Sequence, residues 1–194
     1  MTRIFAVVLC LVVGTTLVAV SPATAASQDR TGFFIGLGAG WGNMGADLES
    51  FATDRENSVA GNFRLGWAVT NSVAIGLETS TWAKKYAIGG TGTDLNLLAT
   101  VTTFAVTVFP GNMGLYARGG LGFATARQEL QGGGVSVSNT ENGLGLLAAV
   151  GYEWRLTKKF ALGPQAQWAY LNIGDQGINS ADFVSLTAQA TWYW

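Results

Sequence analysis

The stretch that decides the fold is residues 184–194, Val-Ser-Leu-Thr-Ala-Gln-Ala-Thr-Trp-Tyr-Trp. Successive side chains of a β-strand point to opposite faces. One face of this stretch carries Val184, Leu186, Ala188, Ala190, Trp192 and Trp194, and the other carries Ser185, Thr187, Gln189, Thr191 and Tyr193. The first face is apolar and ends in aromatics, whereas the second is polar without a full charge. This pattern is typical of a strand with lipid on one side and a polar lumen on the other.

The opposite end of the chain carries an export signal. Arg3 precedes an apolar stretch from Ile4 to Val20, and small residues follow at Ala23-Thr24-Ala25. This pattern predicts a secretory signal peptide, 1–25, cleaved after Ala25 and directing export by the Sec pathway. The alternative is an uncleaved anchor, but the stretch is marginal for a span of about twenty residues. The expected mature domain is 26–194.

The composition of the mature part excludes several classes of protein. Cys10, the single cysteine, lies inside the predicted signal, so disulfides are excluded from the mature part. The chain also has no histidine. Ten basic and twelve acidic residues leave no large cationic surface for nucleic acid. No later segment reaches eighteen apolar residues, so no transmembrane helix is expected.

Eight strands of period two are predicted along the mature chain. They are Gly32–Gly42, Val59–Val69, Val73–Trp82, Leu97–Phe109, Leu115–Thr125, Leu144–Leu156, Phe160–Leu171 and the terminal strand. The fourth has an ambiguous phase, which a β-bulge near Thr102–Thr103 would reconcile, and Pro164 would weaken the seventh or mark a bulge. Eleven residues tilted by about 40° rise roughly 28 Å, which matches the apolar band of an outer membrane.

The connections alternate between long and short. The long ones are 43–58, 83–96, 126–143 and 172–181, and the short ones are 70–72, 110–114 and 157–159. This predicts an all-β fold, an eight-stranded antiparallel up-and-down transmembrane β-barrel with both termini in the periplasm. A soluble barrel with the glycine-rich face inside would lack the bulk to fill its core. Its aromatic face would also be exposed to water as a large patch.

Three segments resemble the small outer-membrane barrels grouped around the OmpA-like, OmpX-like and opacity-protein families. They are Gly32–Gly40, Leu115–Gly122 and Gly151–Trp154. The ending also resembles the aromatic-terminated last strand that the barrel-assembly machinery recognises, which makes Trp192 and Trp194 the expected assembly signal. The resemblance implies a monomer in the outer membrane of a Gram-negative cell, in contact with lipid and lipopolysaccharide. Because the sequence stops at Trp194, we expect no peptidoglycan-binding domain after the barrel.

Charges that face a narrow lumen need partners. We predict an interior network of Arg64, Glu78, Arg118 and Glu153, with Arg155 as a fifth member, in which replacing Glu78 would strand Arg64. One interpretation is a structural plug, and the other is a gate for protons or ions. The plug is favoured because an eight-stranded barrel is narrow.

Besides the lumen, the outer surface and the external loops of the barrel are the places where we expect a specific function. Aromatics predicted to lie at the membrane interface are Trp41, Trp67, Trp154, Trp168, Trp192 and Trp194. External loops carry the charges Asp47, Glu49, Asp54, Arg55, Glu56, Lys84 and Lys85, beside Tyr86, without the spacing of a calcium loop. No histidine is present to act as a general base, so we expect that the protein is not an enzyme. We also expect no metal site and no cofactor. The sequence predicts a structural or surface-interaction role for the barrel, and the alternative is a narrow, weakly conducting pore.

Overall fold

The computed structural model describes residues 30–48, 51–52, 54–88, 93–132, 135–175 and 178–194. Within these ranges the chain forms eight long strands. They are β1 (Gly32–Leu48), β2 (Glu56–Ala68), β3 (Val73–Ile88), β4 (Thr93–Val108), β5 (Leu115–Gly132), β6 (Val135–Tyr152), β7 (Phe160–Asp175) and β8 (Ile178–Tyr193). Two-residue strands also occur at Phe51–Ala52 and Trp154–Arg155, and one 3-10 turn occurs at Pro110–Asn112. The predicted signal peptide lies outside the described residues.

Each strand pairs antiparallel with the next, and the sheet closes on itself. β1 pairs with β8 from Phe34↔Tyr193 to Leu48↔Ile178, and it pairs on its other side with β2. The predicted eight-stranded up-and-down barrel is therefore confirmed. No helix in the described part of the chain is long and apolar enough to cross a membrane.

The two faces of the wall differ as the alternation predicts. In β8, Ser185, Thr187, Gln189, Thr191 and Tyr193 are buried inside, while Val184, Leu186 and Trp192 are exposed outside. Leucine, valine and phenylalanine side chains are exposed around the whole outer wall. An exposed apolar surface of this extent marks an interaction with lipid or another apolar phase.

The two ends of the barrel differ in construction. One end, which we call the turn end, carries the short connections at 69–72, 109–114 and 156–159, and the other, the hairpin end, carries the long ones. The strands extend farther into the long connections at the hairpin end than the sequence predicts. β1 runs to Leu48, β3 to Ile88, β5 to Gly132 and β7 to Asp175, each beyond its predicted end. Polar residues continue these strands because paired hairpins satisfy their backbone groups.

The predicted bulge in β4 is also absent from the described ladder. β3 and β4 keep one register from Val73↔Val108 to Ile88↔Thr93. Ala99 and Val101 point inward and are buried, whereas Phe104, Val106 and Val108 point outward. The phase looked ambiguous because apolar residues occupy both faces of this strand. Pro164 marks no bulge against β8, since it pairs with Ala188 in an unbroken run. On its other side the pairing of β7 is interrupted between Gln165↔Gly151 and Leu162↔Trp154, which agrees with the expected local weakening.

Candidate functional site

The described part of the barrel interior holds three buried ion pairs, two of them at 3.0 Å or less. Arg118 Nη1 lies 2.7 Å from Glu78 Oε2, and Arg64 Nη2 lies 3.0 Å from Glu153 Oε1. All four side chains are at most 5% exposed. Arg64 and Glu78 face each other in the ladder of β2 and β3, but each forms its ion pair elsewhere. The expectation that replacing Glu78 would strand Arg64 is therefore corrected, because Arg64 pairs with Glu153 and Glu78 pairs with Arg118.

Neutral side chains supply further hydrogen bonds to Arg118. Arg118 Nε donates to Thr107 Oγ1 at 2.8 Å, and Arg118 Nη1 donates to Gln165 Oε1 at 2.9 Å. The same oxygen of Gln165 accepts from the Tyr116 hydroxyl at 2.9 Å. Residues of three strands besides β3, namely β4, β5 and β7, thus hold the Arg118–Glu78 pair. Such a network ties distant strands together when most of its members are satisfied.

Glu153 is the centre of a second group of contacts. It lies between β6 and the short strand Trp154–Arg155, and its backbone N–H donates to Gly114 O at 2.8 Å. Its carboxylate accepts from Arg64 and from the Tyr193 hydroxyl, the latter at 2.8 Å. Arg155, the fifth predicted member, is buried with its guanidinium 4.2 Å from the centre of the Tyr193 ring. The penultimate residue therefore links the terminal strand to the interior charges.

Arg30 is an interior residue that the sequence did not predict. It is fully buried and closes the turn end. Its Nη2 donates to Met113 O at 2.7 Å, its Nε lies 3.7 Å from Glu153 Oε2, and its guanidinium lies 4.0 Å from the centre of the Phe109 ring. It precedes β1 and has no place in a strand alternation, so periodicity carried no signal for it.

Inward glycines of β1 make room for large side chains from other strands. A Cβ on Gly36 would collide with Arg64, and one on Gly38 would collide with Gln189. At Gly42 an added Cβ would lie 2.9 Å from Trp82 Cδ1. The glycine face of β1 therefore accommodates the polar and aromatic groups that fill the lumen.

Closer to the hairpin end, the interior is apolar. Trp82, Val101, Leu171 and Phe183 pack with neighbouring small residues in one cluster, each at most 2% exposed. The Trp82 indole Nε1–H donates to Gly42 O at 3.2 Å. We call this cluster the apolar layer. The lumen thus changes from charged and polar at the turn end to apolar near the hairpin end, and the prediction of a polar lumen holds for only part of its length.

Six of the seven tryptophans lie on the outer wall, and all seven fall within the described residues. Four of them, Trp67, Trp154, Trp192 and Trp194, lie near the turn end. The other two, Trp41 and Trp168, lie farther along the strands. Trp41 pairs with Val59, eight residues along β2 from Trp67. This separation is roughly 20 Å along the barrel axis.

Charged side chains at the hairpin end pair with each other. Arg55 contacts Asp182 at 3.0 Å, Lys84 contacts Glu56 at 2.9 Å, Lys85 contacts Asp94 at 2.7 Å and Arg127 contacts Glu129 at 3.1 Å. Hydrogen bonds from Gln131 and Ser136 lower the pKa of the Glu129 carboxyl below its usual value. The described residues contain no group of three His, Cys, Asp or Glu side chains that could hold a metal ion.

Residues 10–192 match the outer membrane protein beta-barrel domain family. The chain belongs to this family. Its location in an outer membrane follows from the membership. No curated protein sequence matches the chain.

Two solved structures show the same fold at low sequence identity. The attachment invasion locus protein Ail of Yersinia pestis, in complex with the heparin analogue sucrose octasulfate, is 12% identical with a TM-score of 0.61, over 84% of this chain and 99% of Ail. Neisserial surface protein A is 18% identical with a TM-score of 0.58, over 84% of this chain and 98% of that protein. At these identities the similarity establishes the architecture.

Proposed function

We propose that this protein is a non-catalytic outer-membrane barrel with a closed lumen, and that it acts through its outer wall and its four hairpins. The observation that carries this proposal is the filled interior. The two ion pairs, Arg118–Glu78 and Arg64–Glu153, cross the lumen near the turn end. The apolar layer around Trp82 follows nearer the hairpin end.

The two barriers oppose permeation for different physical reasons. An ion that crossed the charged region would have to displace groups already held at 2.7 and 3.0 Å. An ion that crossed the apolar layer would lose its hydration without compensating hydrogen bonds. A weakly conducting pore, the second candidate, would require both barriers to move, so the closed barrel is favoured.

The spacing of the tryptophans on the outer wall fits the thickness of an outer membrane. The two groups of tryptophans, roughly 20 Å apart, match the girdles that flank an apolar band of about 25 Å. We propose that they lie at the two interfaces, with lipopolysaccharide around the hairpin end. Trp192 and Trp194 would serve as the signal for the barrel-assembly machinery, and the barrel would act as a monomer with its turn end in the periplasm.

The charge at the hairpin end argues against the kind of ligand found on Ail. The segments 43–58, 83–96, 126–143 and 172–181 carry eight acidic and four basic residues. The basic groups described there already contact carboxylates. A sulfated ligand would meet net negative charge, so we propose that the hairpins favour neutral or cationic partners.

Cysteine labelling in whole cells tests the location and orientation together. Cys10 lies in the predicted signal peptide, so a single introduced cysteine reports on one site. A membrane-impermeant maleimide should label Ser138→Cys, in the extension of β6, in intact cells. It should label Thr157→Cys, in a short turn, only after the outer membrane is permeabilised. If only Thr157→Cys were labelled in intact cells, the proposed orientation would be contradicted. If osmotic shock released the protein into the soluble fraction and both cysteines were then labelled equally, the location would be contradicted.

A further inference from the structure

A cavity of about 380 Å³ lies inside the hairpin end, on the far side of the apolar layer from the ion pairs. Its walls come from the five strands β1 to β5, and its base is formed by Trp82 and Ala99. This volume falls within the range of small-molecule sites, about 300 to 1,000 Å³. The position makes the cavity accessible from the hairpin end and closed toward the turn end.

The lining of the cavity is mainly apolar and aromatic. Met44, Leu97 and Ala126 pack against the apolar layer from the cavity side, and Tyr86 contributes to the wall. Trp82 is fixed by its hydrogen bond to Gly42 O. A rigid aromatic base with aliphatic walls favours a flat or elongated hydrocarbon group.

The charges at the rim select among apolar ligands. Asp54 and Glu56 both line the cavity. Glu56 is neutralised by Lys84, whose ammonium also lies 4.8 Å from the centre of the Tyr86 ring. Arg127 lines the wall but its guanidinium contacts Glu129. Within the described residues Asp54 makes no ion pair, so one negative charge remains for a ligand.

From this arrangement we infer that the cavity is a binding site for a small amphipathic organic cation. Its apolar body would lie over Trp82 and between Met44 and Leu97, and its ammonium group would lie beside Asp54. The inference rests on the proposed function in one respect, because a ligand from outside the cell reaches the site only if the hairpin end faces outward. The net acidity of the four segments would concentrate cations there.

Binding can be tested on the folded protein in nanodiscs of phosphatidylcholine, with empty nanodiscs as the background. The probes are phenylbutylammonium, phenylbutanol and phenylbutyrate, which share one hydrocarbon body and differ in charge. Affinity is measured by the shift of the Trp82 indole N–H resonance, assigned with a Trp82→Phe variant. We expect the ammonium probe to bind most tightly and the carboxylate probe least tightly.

Three variants locate the site. Ala126→Phe should fill the cavity and abolish binding of the ammonium probe and the alcohol. Asp54→Asn should weaken the ammonium probe about threefold to fivefold and leave the alcohol unchanged, as expected for one exposed charge pair. Asp94→Asn, an acid of the same end outside the cavity lining, should change neither.

Two results would overturn the inference: unchanged binding to Ala126→Phe, or a preference of the wild-type protein for the carboxylate probe. Retained heat-dependent mobility in SDS electrophoresis identifies variants that still form the barrel. The nanodisc measurement does not depend on orientation in the cell, so its failure is separable from failure of the cysteine labelling.

Discussion

Arg64 and Glu78 are direct neighbours in the ladder of β2 and β3, yet neither forms its ion pair with the other. Arg64 reaches Glu153, and Glu78 reaches Arg118. The charges therefore link parts of the wall that are not neighbours in the sheet. A network of this kind ties non-adjacent strands together.

Glu153→Gln should strongly destabilise the barrel. The carboxylate faces Arg64 at 3.0 Å and Arg30 at 3.7 Å, and removing it leaves buried positive charge uncompensated. Breaking one side of a buried pair costs about 3–5 kcal/mol. The measurement is the free energy of unfolding in denaturant with lipid vesicles. Asp94→Asn, which breaks an exposed pair with Lys85, is the control and should cost less than about 1 kcal/mol. Equal effects would contradict the buried role.

Double-mutant cycles distinguish residues whose side chains touch from residues that are only neighbours in the strand ladder. Glu78→Gln and Arg118→Met should be coupled by about 1–3 kcal/mol, since their side chains touch at 2.7 Å. Glu78→Gln and Arg64→Met should be coupled more weakly, although those residues are ladder neighbours. Unfolding of the three single and two double variants in one vesicle system checks this. Stronger coupling to Arg64 would show that the ion pairs are exchanged in the membrane.

Gly40→Ala should destabilise the barrel, whereas Gly119→Ala should not. An added Cβ at Gly40 would collide with the backbone oxygen of Leu186 on the neighbouring strand, and one at Gly119 would meet no atom within 4 Å. Overpacking of this kind costs about 1–3 kcal/mol. Both glycines lie within strands, so they form a matched pair. The heat-modified fraction and the unfolding midpoint should fall for Gly40→Ala only, and a loss of stability in both variants would indicate a general strand effect.

Trp82→Ala should lower stability more than Trp41→Ala. Trp82 is 2% exposed inside the apolar layer, and Trp41 is 74% exposed on the outer wall. Truncating a packed tryptophan costs about 3–5 kcal/mol because it leaves a cavity. The free energy of unfolding in vesicles checks the order of the two variants. The opposite order would mean that the bilayer interface, not the interior, holds the larger share of tryptophan stabilisation.

The barrel fold could be predicted from the sequence because the strict alternation of side chains along each strand shows which face is apolar. It was sufficient to place Arg64, Glu78, Arg118, Glu153 and Arg155 inside, since each falls on the inner phase of its strand. It could not give the ion partners, because alternation fixes a face and does not determine where a long side chain reaches across the lumen.

The apolar layer and Arg30 show where periodicity stops being informative. Ala99 and Val101 are apolar residues on the inner face of β4, so the alternation vanished where the interior itself becomes apolar. Arg30 precedes the first strand. The polar hairpin extensions were mistaken for loops because their serine, threonine and asparagine residues resemble loop composition while pairing as strands.

The most direct test of the closed lumen is single-channel recording of the purified, heat-modifiable wild-type protein in planar bilayers with concentrated KCl. The two ion pairs and the apolar layer predict no steady current under moderate voltage. Stable, ohmic current steps that scale with the amount of folded protein would contradict the closed lumen and favour the narrow pore.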